Sequence, residues 1–351
     1  VFVMFEILIN NIIPFVIILT VLVFVHELGH YSIARYNDVK VEVFSIGFGK
    51  ELFGFTDTSG TRWKFSLVPL GGYVKMHGDL DEASSKKKTK NINPDESFHE
   101  KTLNQRSWIL FAGPAANFIF SFIVLIFINT YFGYSENIPR ISFVDKEKSA
   151  FKVGLREGDT IMEVNKQKIN NFSDLQKVIS SNNNRLIEIN FIRGDKVKSV
   201  SVKVEKNIIG IRGTLVKKKL SFISSITKSS EQIVNFLKLT ITGVYEIITG
   251  TRGADELGGP IRIAELSGDF WQKGIESTLW FMMIISLNLG LINLFPIPML
   301  DGGHLLLNLV EFVNGKPLNQ KYLELAHTFG FFILISLMIF ATYNDISRFF
   351  D

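Results

Sequence analysis

The sequence contains no cysteine among its 351 residues. Disulfide bonds, thiolate metal ligands and a cysteine nucleophile are therefore excluded, and any bound metal has to be held by histidine and carboxylate groups. The sequence also lacks an excess of one charge, since 38 basic residues are balanced by 34 acidic residues. So balanced a charge, with no single basic face, gives no indication of nucleic-acid binding.

Apolar residues are concentrated in a few long runs that hold almost no charge. Three of these runs are Trp108–Phe132, Ser277–Leu300 and Leu325–Tyr343, and another starts at Ile12 and continues to about Tyr36. Because about 20 apolar residues cross the hydrocarbon core of a bilayer, the pattern predicts four transmembrane helices. The first run follows no positively charged segment and precedes no small-residue cleavage site, so we expect a retained anchor and not a signal peptide.

The segments between these runs differ in character. Trp63–Met76 (WKFSLVPLGGYVKM) has two alternating stretches around a Gly-Gly pair, which predicts a β-hairpin or a looped sheet. The Lys-rich stretch Ser84–Lys90 is expected to be a solvated loop. Between the second and third runs, Pro139–Glu205 alternates short apolar strands with turns and one helix, Asn171–Ser181, which is enough for one small α/β or β-rich domain.

Charge around the first run predicts the orientation of the chain in the membrane. No Lys or Arg precedes the run, whereas Arg35, Lys40 and Lys50 follow it closely. By the positive-inside rule, the N-terminus faces out and the first loop faces the cytoplasm. With four spans, the segment 139–205 and both chain ends then lie outside.

His26-Glu27-Leu28-Gly29-His30 forms an H-E-x-x-H motif at the end of the first run. On a helix, residues i and i+4 lie on one face, so both imidazoles can bind one cation. Glu27 projects beside that face, where it can take a proton from water without being a ligand. Zinc suits this chemistry because it keeps a position open for water and lowers the pKa of that water to about 7. Gly29 is expected to let another backbone approach closely.

Two histidines leave a metal site incomplete, so a third ligand has to come from elsewhere. Surface histidines on an ordinary helix also give this pattern by chance, but ionisable groups at membrane depth are costly and usually functional. The best candidate is Asp301 in NLFPIPMLDGGH, where Pro296 and Pro298 interrupt regular helix. Two alternatives stay open: Asp301 caps the following helix, or His304 or His327 is the ligand.

Taken together, these motifs resemble the site-2 protease family of intramembrane metallopeptidases, and closely its bacterial regulator-of-sigma-E protease branch. The similarity runs in the family's order over nearly the whole chain. It rests on HELGH, FSIGFG (Phe44–Gly49), PLGGYVKM (Pro69–Met76), FAGPAANF (Phe111–Phe118) and NLFPIPMLDGG. These blocks together are far more specific than HELGH alone.

The resemblance implies that His26, His30 and Asp301 ligate Zn²⁺ and that Glu27 is the general base. It also implies that the Trp63–Met76 hairpin dips into the membrane and presents its edge to an extended substrate. The residues expected to bind substrate are Gly71, Gly72, Tyr73, Asn288 and Asn293. The residues expected to give structural support are Gly113, Pro114, Asn117, Pro296 and Pro298. Interhelical hydrogen bonding is the alternative for the two substrate-binding asparagines.

The segment VGLREGDTIMEVN (Val153–Asn165) resembles a PDZ domain, and only one such domain fits where the best-known members of the branch have two. The predicted fold is therefore an α-helical membrane protein with four transmembrane helices, a membrane-associated β-hairpin and one extracytoplasmic PDZ-like domain. We expect four regions. They are the first two spans with the hairpin loop (1–138), the PDZ-like domain (139–206), a connector with amphipathic segments (207–274) and the last two spans (275–351).

The predicted function is that of an intramembrane zinc metalloprotease. It would hydrolyse peptide bonds within the transmembrane segments of single-span membrane proteins that have already been trimmed, such as anti-sigma factors or signal peptides. We expect a multi-pass protein of the bacterial inner (cytoplasmic) membrane whose partners are these substrates and the lipid bilayer, with no nucleic acid. The alternatives are a catalytically inactive scaffold that binds partners through the PDZ-like domain, and a metal transporter. The presence of Glu27 and a bulky outside domain weakens the transporter alternative.

Overall fold

The computed structural model describes Glu6, Leu8–Gly78 and Pro94–Arg348. The Lys-rich stretch Ser84–Lys90 lies outside the described residues. The chain forms two compact units, one built from residues 1–128 and 226–351 and the other from Asn129–Ser225. The first unit therefore contains every motif that carries the predicted chemistry.

Helices account for most of the first unit, and strands for most of the second. The helices are α1 (Ile13–Tyr36), α2 (Leu103–Ile128), α3 (Ser149–Lys152), α4 (Phe172–Ser181), α5 (Phe222–Ile248), α6 (Pro260–Gln272), α7 (Ile275–Asn293), α8 (Asp301–Asn314) and α9 (Gln320–Ser347). The strands are β1 (Val41–Thr56), β2 (Arg62–Met76), β3 (Tyr134–Val144), β4 (Thr160–Val164), β5 (Gln167–Lys168), β6 (Leu186–Arg193), β7 (Lys196–Lys203) and β8 (Ile211–Lys218).

Within the described residues, four helices are long enough and apolar enough to cross a membrane. They are Leu8–Tyr36, Leu103–Gly133, Ile275–Asn293 and Lys321–Ser347, and each overlaps one of the predicted runs. Helix α7 stops at Asn293, before the third run ends at Leu300, as expected from the two prolines that interrupt regular helix there. Pro296 and Pro298 lack a backbone N–H and fit only the first turn of a helix, so the helix ends before them.

Helix α2 starts with a capping box, in which the Thr102 N–H donates to Gln105 Oε1 (3.1 Å) and the Gln105 N–H donates to Thr102 Oγ1 (3.4 Å).

Helices α1 and α2 cross at close range. At the crossing, a Cβ atom on Gly29 would overlap with the carbonyl oxygen of Ala112. The expectation that Gly29 lets another backbone approach is therefore confirmed.

Strands β1 and β2 form an antiparallel sheet that packs against α1. The first half of β1 lies between two segments of β2, so that Phe44 pairs with Val74 on one side and with Trp63 on the other. The two alternating stretches of Trp63–Met76 do not pair with each other as a hairpin. They lie on opposite sides of the first half of β1, and β2 passes from one side to the other between Val68 and Gly72, which is the looped-sheet alternative of the prediction. Strand β1 bends at Gly47, where φ is +89°.

The turn that joins β1 to β2 is held to α1 by the carboxylate of Asp57. Oδ2 of Asp57 accepts hydrogen bonds from Trp63 Nε1 (2.8 Å) and from the Tyr31 hydroxyl (3.3 Å). Oδ1 accepts from the backbone N–H groups of Ser59 (2.8 Å) and Thr61 (3.0 Å). Burial works to raise the pKa of Asp57, but the hydrogen bonds from the Ser59 hydroxyl (2.7 Å), from Trp63 and from the two backbone N–H groups outweigh it and lower the pKa. Because Tyr31 directly follows the H-E-x-x-H motif, the sheet and the motif share one anchor.

The second unit is a small domain with a six-stranded sheet. Its strand order is β7-β6-β4-β3-β8, with β5 paired to β4. Ile161, Leu175 and Ile189 are among the fully buried side chains of its core. Helix α4 starts where the sequence predicts, because the Asn171 side chain caps it and accepts a hydrogen bond from the Asp174 N–H (2.9 Å). The predicted PDZ-like segment, residues 139–206, lies inside this unit, which also includes β8.

Replacing Asp57 with Asn should loosen the turn between β1 and β2 without changing its volume. An amide has one oxygen, so its NH₂ group faces either the backbone donors of the turn or the donors on Trp63 and Tyr31. An unpaired donor costs on the order of 1 kcal/mol, which corresponds to about fivefold more local opening. We therefore expect trypsin to cleave D57N after Arg62 about fivefold faster. Thr58→Ala, an exposed change in the same turn, is the control, and equal rates for all three proteins would contradict the anchoring role.

Candidate metal centre and active site

Helix α1 brings the two histidines of the motif together. His26 and His30 lie one turn apart, and their Nε2 atoms are 3.2 Å from each other. Both side chains are largely shielded, with 12% and 9% of their surface exposed. The pair therefore presents two nitrogen donors to one small volume, as the i, i+4 spacing predicts.

Asp301 is the first residue of α8 and is reached through a tight turn after α7. Met299 in this turn has φ +87°, a left-handed value that non-glycine residues rarely adopt and that the surrounding structure has to maintain. A Cβ atom on Gly302 would overlap with the carbonyl oxygen of Leu294, so the turn closes tightly on itself. This conformation directs the Asp301 carboxylate toward the histidines of α1.

The three side chains meet. Asp301 Oδ2 lies 3.3 Å from His26 Nε2, and Asp301 Oδ1 lies 3.4 Å from His30 Nε2. Zinc binds nitrogen and oxygen at about 2.0–2.1 Å, so two ligand atoms of a tetrahedral site are about 3.3 Å apart. The donor set and its spacing therefore fit zinc. In the part of the chain that the structure describes, this is the one cluster of three metal-ligating side chains.

The alternatives for Asp301 and for the third ligand do not fit these contacts. Leu300, and not Asp301, is the N-cap of α8, and no side chain caps that helix end. The two rival histidines, His304 and His327, contact each other edge to face, with ring centroids 5.0 Å apart. Neither of them belongs to the cluster formed by the described metal-ligating residues.

Glu27 lies between the histidines and strand β2. Its Cγ is 3.2 Å from the position that a Cβ atom on Gly72 would take, so the strand runs directly past it. The backbone N–H of Val74 is close enough to hydrogen bond the carboxylate. Because position 72 is a glycine, the strand leaves room for the carboxylate of Glu27, which is not one of the three clustered side chains.

Groups behind the histidines fix the orientation of both rings. His30 Nδ1 lies 2.8 Å from the carbonyl oxygen of Ile109, to which a neutral ring donates, leaving Nε2 free for a metal. His26 Nδ1 lies 3.0 Å from the side-chain amide of Asn117. Gly113 packs directly against the ring of His30. The sequence did not predict that Ile109 accepts a hydrogen bond from His30, because every residue has a backbone carbonyl and none is marked out by its type.

The residues expected to bind substrate lie at different distances from this centre. Asn293 Nδ2 is 3.4 Å from His26 Nε2, whereas the amide oxygen of Asn288 accepts a hydrogen bond from the Thr240 hydroxyl (3.2 Å) on α5. Gly72 is beside Glu27, as described above. Tyr73 stacks on Phe48, and Gly71, at φ +130°, packs against the same ring. Substrate binding by these residues stays a prediction.

Comparison with known proteins identifies similar chains. Residues 14–337 match the model of peptidase family M50. A protein of Rickettsia conorii whose name describes it as a zinc metalloprotease is 38% identical over 97% of this chain and 99% of its own length. One of Campylobacter jejuni with the same description is 36% identical over 95% and 92%. The solved PDZ domain of an SdrC-like protein from Listeria monocytogenes is 27% identical over 24% of this chain and 90% of its own, with a TM-score of 0.20.

Changing Gly113 to Ala should damage the metal centre without removing a ligand. The added methyl group would overlap with the imidazole of His30 and push the ring away from Asp301. We expect the affinity for zinc to fall roughly tenfold or more, measured by competition with a chromophoric chelator. Gly243→Ala on α5 is the matched control, because the nearest atom to its Cβ is the flexible end of Arg252 at 3.2 Å. Unchanged zinc affinity in G113A would contradict this account of the packing.

Proposed function

The chain belongs to peptidase family M50 and is a zinc metalloprotease, and from this premise we propose that His26, His30 and Asp301 hold the zinc ion. The predicted kinship with the site-2 proteases is confirmed by the family match. The observation that carries the proposed ligand set is the convergence of the three side chains, with atoms 3.2–3.4 Å apart. When bound, zinc supplies the Lewis acidity that makes water nucleophilic at neutral pH.

Glu27 has the role of general base in this proposal. Its carboxylate stands on the same helix as the two histidines and beside β2, without being one of the three clustered ligands. It takes a proton from the attacking water as the oxygen bonds to the carbonyl carbon of the substrate. It then delivers that proton to the leaving nitrogen as the C–N bond breaks. The cleavage therefore needs no other proton carrier.

The proposed substrates are transmembrane segments of single-span proteins that have already been trimmed, of the anti-sigma-factor or signal-peptide type. The position of β2 supports an extended substrate. A Cβ atom on Gly72 would point at Glu27, and the backbone N–H of Val74 reaches its carboxylate, so this segment of β2 runs directly past the proposed base. A substrate paired there would place its peptide bonds beside the base. Asn293 would hold the substrate backbone next to His26, and Gly71, Tyr73 and Asn288 would line the approach.

We also propose that the protein lies in the bacterial inner membrane as a multi-pass protein, with the unit Asn129–Ser225 as a PDZ-like domain on the extracytoplasmic side. Four helices of sufficient length and apolarity support membrane insertion. The basic residues Arg35, Lys40 and Lys50, which follow the first of these helices, support the orientation. The domain would then meet the part of a substrate that has been trimmed outside.

The inactive-scaffold alternative has no support left. An M50 zinc metalloprotease is an enzyme, and the groups that catalysis needs are all present at one place on α1 and α8. The transporter alternative is supported only by the intramembrane histidine and aspartate, and Glu27, which stands next to the cluster, weakens it. Peptide hydrolysis is the function that uses every one of these groups.

Glu27→Gln should abolish hydrolysis and leave zinc bound. Glutamine keeps the volume of the side chain but cannot accept a proton, so the rate should fall by about 10²- to 10⁴-fold. The measurement is cleavage of a reporter transmembrane segment, with zinc content determined on the same samples. Glu147→Gln, an exposed change in the second unit, serves as the control. If E27Q cleaves at the rate of the parent, Glu27 is not the base.

Asp301→Ala should lose zinc and activity together, because it removes the only carboxylate of the cluster formed by the described residues. His304→Ala and His327→Ala are the matched comparisons, since each removes a rival ligand, one on α8 itself and the other on α9. We expect both histidine variants to keep one zinc ion per chain, measured by elemental analysis of purified protein. Zinc retained in D301A and lost in either histidine variant would overturn the proposed ligand set.

A further inference from the structure

A buried chain of polar groups leads away from His26 to α7. Asn117 on α2 is fully buried, and so is Ser286 on α7. One end of the Asn117 side-chain amide lies 3.0 Å from His26 Nδ1, and the other end lies 3.4 Å from the hydroxyl of Ser286. Three helices are therefore connected through one amide, and this connection ends at a proposed zinc ligand.

Zinc ligation through Nε2 decides which end of the amide faces His26. A neutral imidazole that gives the lone pair of Nε2 to a metal carries its proton on Nδ1, and this proton needs an acceptor. The oxygen and the NH₂ group of an amide have the same shape, so their partners determine the orientation. Asn117 Oδ1 has to face His26 Nδ1, since two N–H groups there would repel.

Ser286 then holds the opposite end of the amide. With Oδ1 turned to His26, the NH₂ group of Asn117 points to the Ser286 hydroxyl, which accepts its hydrogen bond. The hydroxyl can do so because its own proton is donated to the backbone carbonyl of Asn117 (3.1 Å). The reverse orientation would leave His26 with its proton on Nε2, where it would block the metal.

We propose that Asn117 and Ser286 are positioning residues that fix the tautomer and the ring plane of His26 for zinc. The proposal rests on zinc ligation by His26 in the proposed function. His30 is oriented by the backbone carbonyl of Ile109, which side-chain substitution does not remove. Within the described residues, Asn117 is therefore the side chain that hydrogen bonds the Nδ1 atom of a proposed zinc-ligating histidine.

Ser121 offers an internal comparison. Its hydroxyl donates to the same backbone carbonyl of Asn117 (2.8 Å) and lies 3.0 Å from the carbonyl of Met283, but it does not contact the amide. Ser121 is also fully buried between α2 and α7. Removal of this hydroxyl therefore disturbs the same packing and leaves the amide's two partners in place.

The test measures zinc affinity of the purified full chain by competition with a chromophoric chelator, so it does not depend on proteolytic activity. Asn117→Leu keeps the branching at Cγ but accepts no hydrogen bond, and we expect its affinity to fall roughly 10- to 100-fold. Asn117→Asp restores an acceptor at the same place and should bind zinc at least as tightly as the parent. Ser286→Ala should lose affinity to a smaller extent, and Ser121→Ala should not change it. Thermal unfolding of the zinc-free proteins checks that each variant is folded.

Two results would overturn the inference. One is parental zinc affinity in N117L, and the other is a loss in N117D as large as that in N117L. His26→Ala separates this failure from failure of the proposed function. If H26A binds zinc as the parent does, the ligand set is wrong; if H26A loses zinc while N117L keeps it, only the positioning role is wrong.

Discussion

The approach of the Asp301 carboxylate to His26 and His30 is the constraint on which the first unit depends. The histidines come from the first long helix, and the carboxylate comes from a turn near the other end of the chain. Polar groups at membrane depth are costly unless they are partnered, so the segments that carry them have to be held at closely fixed distances. The glycines at positions 29 and 302 allow the close backbone contacts that fix these distances, because a larger side chain at either position would hold the backbones apart.

An exposed apolar side chain has a different energetic cost in lipid than in water. Only 6% of the most apolar stretch of α9 is buried inside the protein, and its exposed side chains include Phe329 and Phe332. A hydrocarbon solvent accepts such a surface at no cost but gives no hydrophobic drive for helix association. Packing and interhelical hydrogen bonds have to supply that drive. The fully buried Ser121 and Ser286, each bonded across the interface of α2 and α7, are placed to do so.

Sequence patterns predicted the features whose chemistry is local. The H-E-x-x-H spacing and the uncharged run before Asp301 indicated the side chains that meet, and the apolar runs indicated the long helices. The patterns failed where a distant partner decides the outcome. The two stretches around the Gly-Gly pair in β2 suggested a hairpin, but each stretch pairs with the first half of β1, from opposite sides. Asn117 was predicted as structural support, and its contact with His26 depends on a helix crossing that one sequence does not reveal.

The strand beside the proposed base limits the form in which a substrate can react. An α-helix satisfies its own backbone groups, and in lipid an opened helix would leave them unpaired at a cost of several kcal/mol each. In the proposed function, β2 at Gly72 and Val74 would offer partners to those groups at the place where Glu27 stands. Unwinding and positioning would then be one step, because the strand that compensates the opened backbone would also align it for attack. Pairing of this kind depends on backbone groups more than on side chains, so discrimination among the proposed substrates would have to arise from how readily a segment unwinds and from what admits it to the site.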